Sequence, residues 1–127
     1  GLLTVNALCA ADYVVVPLQC EFYALEGLSQ LMRTIEMVQQ SLNRNLVVQG
    51  IVLTMFDSRN KLSEMVANDV RSHFGNLVYH TVIPRNVRIS EAPSYGEPVL
   101  VYDLKCAGAQ AYVALAAELL SQEKEVA

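Results

Sequence analysis

The sequence predicts an α/β fold in which one parallel sheet has βαβαβ order and is followed by a C-terminal helix. Short β-branched apolar runs alternate with longer segments whose apolar residues recur at helical spacing, and this alternation is typical of parallel α/β sheets. With 127 residues, of which 53% are hydrophobic, the chain is long enough to bury a core as a single domain over residues 1–127.

The first half of the chain supplies a helix, a strand and a second helix. Residues 2–8 have the apolar pattern of the back half of a helix, so we interpret the chain as a fragment whose preceding elements lie upstream. Residues 12–18 form a short apolar run of the kind that makes a parallel strand covered on both faces. Residues 24–42 are predicted to be helical because their apolar residues share one face. That face consists of Leu25, Leu28, Met32, Ile35, Val38 and Leu42.

The second half continues the alternation. Residues 46–55 and 77–83 are β-branched and apolar, and they are predicted as the second and third strands. Between them, residues 62–74 repeat the helical period and Gly75 supplies a stop signal. An Ala-rich final helix is predicted over residues 106–122. Its predicted buried residues are Ala109, Tyr112, Val113, Ala116, Leu119 and Leu120.

Basic residues cluster in the loops that follow the second and third strands. In open α/β sheets, ligands bind outside the carboxyl ends of the strands, where residues 17–23, 54–61 and 84–96 are expected to meet. The chain is acidic, with a formal net charge of −4, which argues against a general polyanion binder. Four of its nine basic residues nevertheless lie in two of these loops, namely Arg59, Lys61, Arg85 and Arg88. The pattern favours phosphate contact at one edge, and scattered solvated side chains are the alternative.

Several kinds of site are not encoded in these residues. The six glycines never form G-x-x-x-x-G-K-[ST] or G-x-G-x-x-G, so the chain has no phosphate-binding loop of its own. The three cysteines are odd in number and widely spaced, which argues against a disulfide framework and a zinc site. His73 and His80 have no nucleophile at a suitable spacing. We therefore expect no catalytic residue and no metal ligand in this chain.

Four ordered motifs carry a family resemblance. They are GLLTVNAL at residues 1–8, VVPLQCEFYALEGL at 15–28, LTMFDSR at 53–59 and IPRNVRISEAPSYG at 83–96. With them, the chain resembles the ParA/Soj family of chromosome- and plasmid-partitioning ATPases, which have a P-loop NTPase fold with a deviant Walker A motif. The similarity extends over essentially the whole chain.

The resemblance implies that this chain is the C-terminal portion of such an ATPase. Its Walker A loop, switch I aspartate and Walker B aspartate would all lie upstream of Gly1. The full-length parent would bind ATP and Mg²⁺ and hydrolyse ATP. Without the P-loop, the fragment is expected to be inactive alone and to bind no cofactor tightly.

The same resemblance implies residues for a nucleotide and for a dimer face. Adenine would lie between the second and third loops, against Met55 and Pro84, with Asn86 pairing to its edge. Glu21 and Cys20 would lie at the face between two subunits, where Glu21 could pair with a lysine of the partner. Capping of the following helix is an alternative role for Glu21.

DNA contact is assigned to the basic cluster. Arg59 and Arg88 would contact phosphates, and Arg85 and Lys61 would support them. Guanidinium groups bind phosphate oxygens without sequence preference, which suits a protein that uses bulk DNA as its track.

The implied partners are nonspecific DNA, a ParB-type protein and an ATP-dependent homodimer, in the cytoplasm and associated with the nucleoid. Two alternatives remain. A MinD-like membrane ATPase would need a basic amphipathic tail, whereas residues 119–127 are short and acidic. A noncatalytic oligomerisation module could use residues 13–17 as an exposed strand edge.

Overall fold

Helices and strands alternate through the computed structural model, which describes residues 2–86, 93, 96 and 106–126. The elements are α1 Leu2–Ala10, β1 Tyr13–Gln19, α2 Ala24–Ser41, β2 Val47–Phe56, α3 Lys61–Phe74, β3 Val78–Pro84 and α4 Ala107–Val126. A 3-10 turn, Gly75–Leu77, joins α3 to β3. The predicted α/β class, with βαβαβ order and a C-terminal helix, is confirmed.

The three strands form one parallel sheet in the order β1-β2-β3. Tyr13 pairs with Val47 at the start of β1, and Gln19 pairs with Thr54 at its end. The central strand β2 is therefore hydrogen-bonded on both sides. Because the strands are parallel, their carboxyl ends lie at the same edge of the sheet.

Successive side chains of the strands point to opposite faces, and each face has its own core. Ile51 and Leu53 of β2 pack with α1, α2 and α3, whereas Val52 between them packs with α4. In β3, Val78 belongs to the first core and Tyr79 to the second. The sheet thus lies between two helical layers, as the near-continuous apolar sequence of β2 predicts.

Strand β1 differs from its prediction as a strand covered on both faces. Tyr13 is 67% exposed and Val15 is 37% exposed, while Val16 is buried. The apolar run does make a strand, but among the described residues β1 lies at the edge of the sheet and only one of its faces packs on helices.

The buried face of α4 also differs from the prediction. Tyr112, Val113, Ala116 and Leu120 are exposed, and Leu115, which was not predicted, is buried together with Ala109. In an Ala-rich helix, most rotations place some apolar residues against the sheet, so the sequence alone does not define the contact face. Leu42, which was predicted to belong to the apolar face of α2, is likewise exposed.

Polar contacts fix the position of α4 on the sheet. The carboxylate of Glu118 accepts hydrogen bonds from the Thr81 hydroxyl at 2.7 Å, the Thr81 N–H at 3.0 Å and the His80 N–H at 2.8 Å. One helical turn later, Gln122 accepts from the Tyr79 hydroxyl at 3.0 Å and donates to the Gln49 carbonyl oxygen at 2.8 Å. These bonds satisfy backbone groups of β2 and β3 that the sheet ladder leaves unpaired.

We expect Glu118→Gln to lower the free energy of unfolding by about 1–2 kcal/mol at neutral pH. Partial burial alone would raise the pKa of Glu118, but the hydrogen bonds from Thr81 and His80 outweigh it and lower this pKa. A carboxyl whose pKa is lower in the folded state makes its full contribution to the free energy of unfolding when the pH is above its unfolded pKa of about 4.3. That contribution is lost as the pH falls through the folded pKa.

Urea unfolding at neutral and acid pH measures this effect. The stability difference between wild type and Glu118→Gln should shrink in acid, whereas the exposed control Glu36→Gln should show little difference at either pH. An equal loss of stability in both variants would contradict the role of Glu118.

Three further features hold for the part of the chain that the structure describes. No described helix is long and apolar enough to cross a membrane. Every buried side-chain nitrogen and oxygen of the described residues has a hydrogen-bond partner. No group of three His, Cys, Asp or Glu residues within the described ranges could hold a metal ion.

Candidate functional site

The carboxyl ends of the three strands bring the loops that follow them to one edge. The Cys20 N–H donates to the Thr54 carbonyl oxygen at 3.0 Å, which extends the ladder between β1 and β2. Phe56 pairs with Pro84, and the Arg85 N–H donates to the Phe56 carbonyl oxygen at 2.9 Å. The predicted meeting of the three loops is confirmed for their described residues, and we call this region the carboxyl edge.

Met55 lies in a bulge at the carboxyl edge. Between the pairs Leu53–Val82 and Phe56–Pro84, β2 has one more residue than β3. Met55 has a φ of 53°, in the left-handed region, and it is 41% exposed to solvent. Bulges redirect side chains and are common beside binding sites. A left-handed non-glycine residue carries strain of order 1–3 kcal/mol. The sequence gives no sign of it, because methionine has no preference for this conformation.

Hydrogen bonds organise the turn between β2 and α3. The Asp57 carbonyl oxygen accepts from the Asn60 N–H at 3.0 Å, and the Asn60 side chain accepts from the Leu62 N–H at 2.9 Å as the N-cap of α3. The Asp57 N–H donates at 3.2 Å to the hydroxyl of Ser63, which is 2% exposed. The turn is therefore anchored to the core through Ser63.

The carboxylate of Asp57 contacts the next basic residue along the turn. Its Oδ1 accepts from the Arg59 N–H at 3.0 Å and from Arg59 Nε at 3.3 Å. The backbone and side-chain hydrogen bonds from Arg59, followed by the charges of Arg59 and Arg85, lower the pKa of Asp57. The Asp57 carboxylate therefore lies close to two arginines.

Three of the four predicted DNA-binding residues can be placed at the carboxyl edge. The Arg59 side chain is 90% exposed, and Lys61 and Arg85 are also exposed. The hydrogen bond between Arg85 and Phe56 sets the start of the third loop beside the end of β2. Arg88 lies outside the described residues. The clustering of Arg59, Lys61 and Arg85 is thus a property of the fold.

The predicted adenine-contacting residues lie at the same edge. Met55 precedes Phe56, which pairs with Pro84, so Met55 and Pro84 are on neighbouring strand ends. Pro84 and Asn86 are both half-buried. The described geometry brings the three residues together, and their contact with a nucleotide stays a prediction.

The two residues predicted at a dimer face have different environments. Glu21 is exposed and lines an open groove of about 200 Å³ between the first turns of α2 and α3. Cys20 is 7% exposed and belongs to the first core, and burial raises the pKa of its thiol. Cys20 supports the loop from within, while Glu21 and the left-handed Tyr23 are at the surface.

Sequence reasoning assigned no role to Asp57 or Ser63. The sequence does hold a signal for the turn, since Asp and Asn side chains commonly bond to backbone two residues further on. It holds none for the bond between Asp57 and Ser63, because that contact depends on how α3 packs against the sheet.

The fold is that of P-loop NTPase-type ATPases. The crystal structure of cobyrinic acid a,c-diamide synthase from Mycobacterium smegmatis, solved with bound ADP and magnesium, matches all of this chain and 44% of that one, with 37% identity and a TM-score of 0.75. A family model described as an AAA domain matches residues 1–48.

Similar proteins of known name identify the family more narrowly than the fold does. The chain is 69% identical over 125 residues to the chromosome partitioning protein ParA of Caulobacter vibrioides, which covers 98% of this chain and 47% of that protein. It is 55% identical over 119 residues to the sporulation initiation inhibitor protein Soj of Bacillus subtilis, covering 94% of this chain and 47% of that protein. The chain belongs to the ParA/Soj family of partitioning proteins. It spans about half the length of these relatives.

Proposed function

We propose that this chain is the C-terminal part of a ParA/Soj-type ATPase that segregates DNA. In that protein it supplies the adenine-side contacts, part of the dimer face and the residues that bind DNA without sequence preference. The clustering of Arg59, Lys61 and Arg85 at the carboxyl edge carries the proposal, because the chain as a whole is acidic.

Phosphate binding is the chemistry that this cluster supports best. Arginine guanidinium groups pair with phosphate oxygens through several N–H donors, and an exposed position leaves them accessible to a duplex. Arg88 is predicted to extend the cluster. Two to four such contacts per subunit correspond to a log-log salt slope of roughly −2 to −4.

The nucleotide would be bound beside this cluster. The thioether of Met55 and the ring of Pro84 offer apolar surfaces for a purine, and Asn86 offers an amide for its polar edge. These residues fit the nucleoside end of ATP. The phosphates and Mg²⁺ would be held by a P-loop, which these 127 residues do not contain.

Dimerisation would make DNA binding depend on ATP binding. Exposed Glu21 would face the partner subunit and pair with a lysine, so that two ATP-bound subunits present their basic clusters together. A ParB-type protein would stimulate hydrolysis and release the complex from DNA. The protein would accordingly be associated with the nucleoid.

DNA binding by the complete protein that carries this chain tests the proposal. With ATP present, Arg59→Ala and Arg88→Ala should each weaken binding to a duplex of arbitrary sequence by about tenfold near physiological salt. Each should also reduce the salt slope by about 1 per subunit. Fluorescence anisotropy across a salt series measures both quantities.

Arg44→Ala provides a matched control. Arg44 is exposed and precedes β2, so it lies at the opposite edge of the sheet while carrying the same charge. Its replacement should leave the salt slope unchanged. If all three variants weaken binding equally, net charge explains the binding and the carboxyl edge is not the DNA site.

A further inference from the structure

Asp57 contacts Arg59 and lies near Arg85 in the basic cluster, where an acidic residue is unexpected for a phosphate-binding surface. Its Oδ1 accepts one hydrogen bond from the Arg59 backbone N–H at 3.0 Å and a second from Arg59 Nε at 3.3 Å. A carboxylate here adds negative charge close to the phosphates. Simple electrostatics would therefore assign it an unfavourable effect on DNA binding.

We infer that Asp57 is a positioning residue that holds the Arg59 side chain in the orientation in which it binds a DNA phosphate. The inference rests on the proposed function. It adds to that function a residue that orients one of the side chains proposed to bind phosphate.

The position of Asp57 is itself fixed by the core. Its N–H donates at 3.2 Å to the Ser63 hydroxyl, and its carbonyl oxygen accepts from the Asn60 N–H at 3.0 Å. Ser63 is 2% exposed, in the first turn of α3. Contacts on both sides of the Asp57 backbone therefore hold its carboxylate at the end of β2.

The geometry leaves most of the guanidinium available to a ligand. Within the guanidinium group, Asp57 contacts only Nε, and neither terminal nitrogen of Arg59 forms a hydrogen bond with another described residue. Those nitrogens carry four of the five N–H donors of the group. With its side chain 90% exposed, Arg59 can bind a phosphate while Nε stays on Asp57.

Preorganisation gives Asp57 a favourable effect that can exceed its charge repulsion. A free arginine side chain loses much rotamer entropy when it is ordered on a ligand, and an arginine already held at Nε loses less. An Asp carboxyl is ionised at neutral pH even with its ordinary pKa, and the pKa of Asp57 is lowered further, so this contact has its full negative charge.

The variant Asp57→Asn separates the two effects by sign. Asparagine keeps an oxygen for the Arg59 N–H and preserves the turn, but it removes the charge that holds Nε. If Asp57 positions Arg59, the substitution weakens DNA binding about two- to fivefold although a negative charge is removed. If Asp57 acts only through its charge, binding becomes tighter.

The experiment uses the complete protein with ATP, the same duplex and a salt series. Glu64→Gln is the matched control, because Glu64 is exposed in the first turn of α3 and its substitution removes the same charge as Asp57→Asn. We expect Glu64→Gln to leave binding unchanged or slightly tighter, and Asp57→Glu to retain more affinity than Asp57→Asn.

A double-mutant cycle with Arg59→Ala completes the test. In the Arg59→Ala background, Asp57→Asn should no longer weaken binding, since the side chain that it positions is gone. If Asp57→Asn tightens binding in the protein with Arg59 intact, the positioning role is wrong, although Arg59→Ala can still confirm the DNA site. If Arg59→Ala itself has no effect, the proposed DNA site is wrong and the positioning role is wrong with it.

Discussion

Replacing Gly50 with alanine is expected to lower the free energy of unfolding by about 2–4 kcal/mol. A Cβ atom built on Gly50 would lie 2.7 Å from the Tyr79 hydroxyl oxygen and closer still to two ring carbons. Tyr79 is 5% exposed in the second core, so its ring cannot move without disturbing α4. Its displacement would also disrupt the hydrogen bonds through Gln122 that join α4 to β2.

A control at Gly27 and a double-mutant cycle with Tyr79 make the Gly50 prediction specific. Gly27 is exposed within α2, and a Cβ there would contact nothing within 4 Å, so Gly27→Ala should stabilise the protein by about 0.5–1 kcal/mol. Adding Tyr79→Leu to Gly50→Ala removes the ring that clashes, and the double variant should lose less stability than the two single effects predict. Urea unfolding is measured for the wild type, the three single variants Gly50→Ala, Gly27→Ala and Tyr79→Leu, and the double variant. A Gly50→Ala protein as stable as the wild type would contradict the close approach.

Local sequence patterns were sufficient to predict the elements and the meeting of the three loops at the carboxyl edge. Strands such as Val47–Phe56 are β-branched and apolar on both faces, and α2 and α3 have a clear polar face, so their types follow from local periodicity. The parallel arrangement then places the ends of β1, β2 and β3 side by side. This is why the clustering of Arg59 and Arg85 follows from the sequence pattern alone.

Features that depend on packing between distant residues could not be predicted. The left-handed Met55 results from the extra residue of β2 relative to β3, and register is a relation between two strands. The buried face of α4 is fixed by hydrogen bonds to Tyr79, Thr81 and Gln49 on the sheet. The residue pattern of the helix alone holds no information about these partners. The same reason explains why the anchoring of Asp57 is not predicted from the sequence, since its partner Ser63 belongs to the next element.

Asn43 connects the ends of α1 and α2, and its substitution is expected to have an effect as large as that at Gly50. Its Nδ2 lies within hydrogen-bond distance of three carbonyl oxygens, those of Leu8 and Cys9, both at 3.1 Å, and that of Ala11 at 2.7 Å, so its two N–H groups are shared among three acceptors. The Leu8 and Cys9 carbonyls belong to the last turn of α1, where the helix itself offers no N–H donor. One side-chain amide thus provides hydrogen bonds to three carbonyl oxygens that would otherwise need water molecules as donors at a partly buried position.

Asn43→Asp should lower the free energy of unfolding by about 2–4 kcal/mol at neutral pH, and Asn43→Ala by about 1–3 kcal/mol. Aspartate has nearly the same shape, but it places a negative oxygen against three carbonyl oxygens, whereas alanine only removes the donor. Repulsion would raise the pKa of the introduced carboxyl above its unfolded value, so protonation in acid should restore part of the stability of Asn43→Asp and none of that of Asn43→Ala. Urea unfolding of both variants at neutral and mildly acid pH measures the difference. If the two variants lose the same stability at both pH values, the three carbonyl contacts do not hold α1 in place.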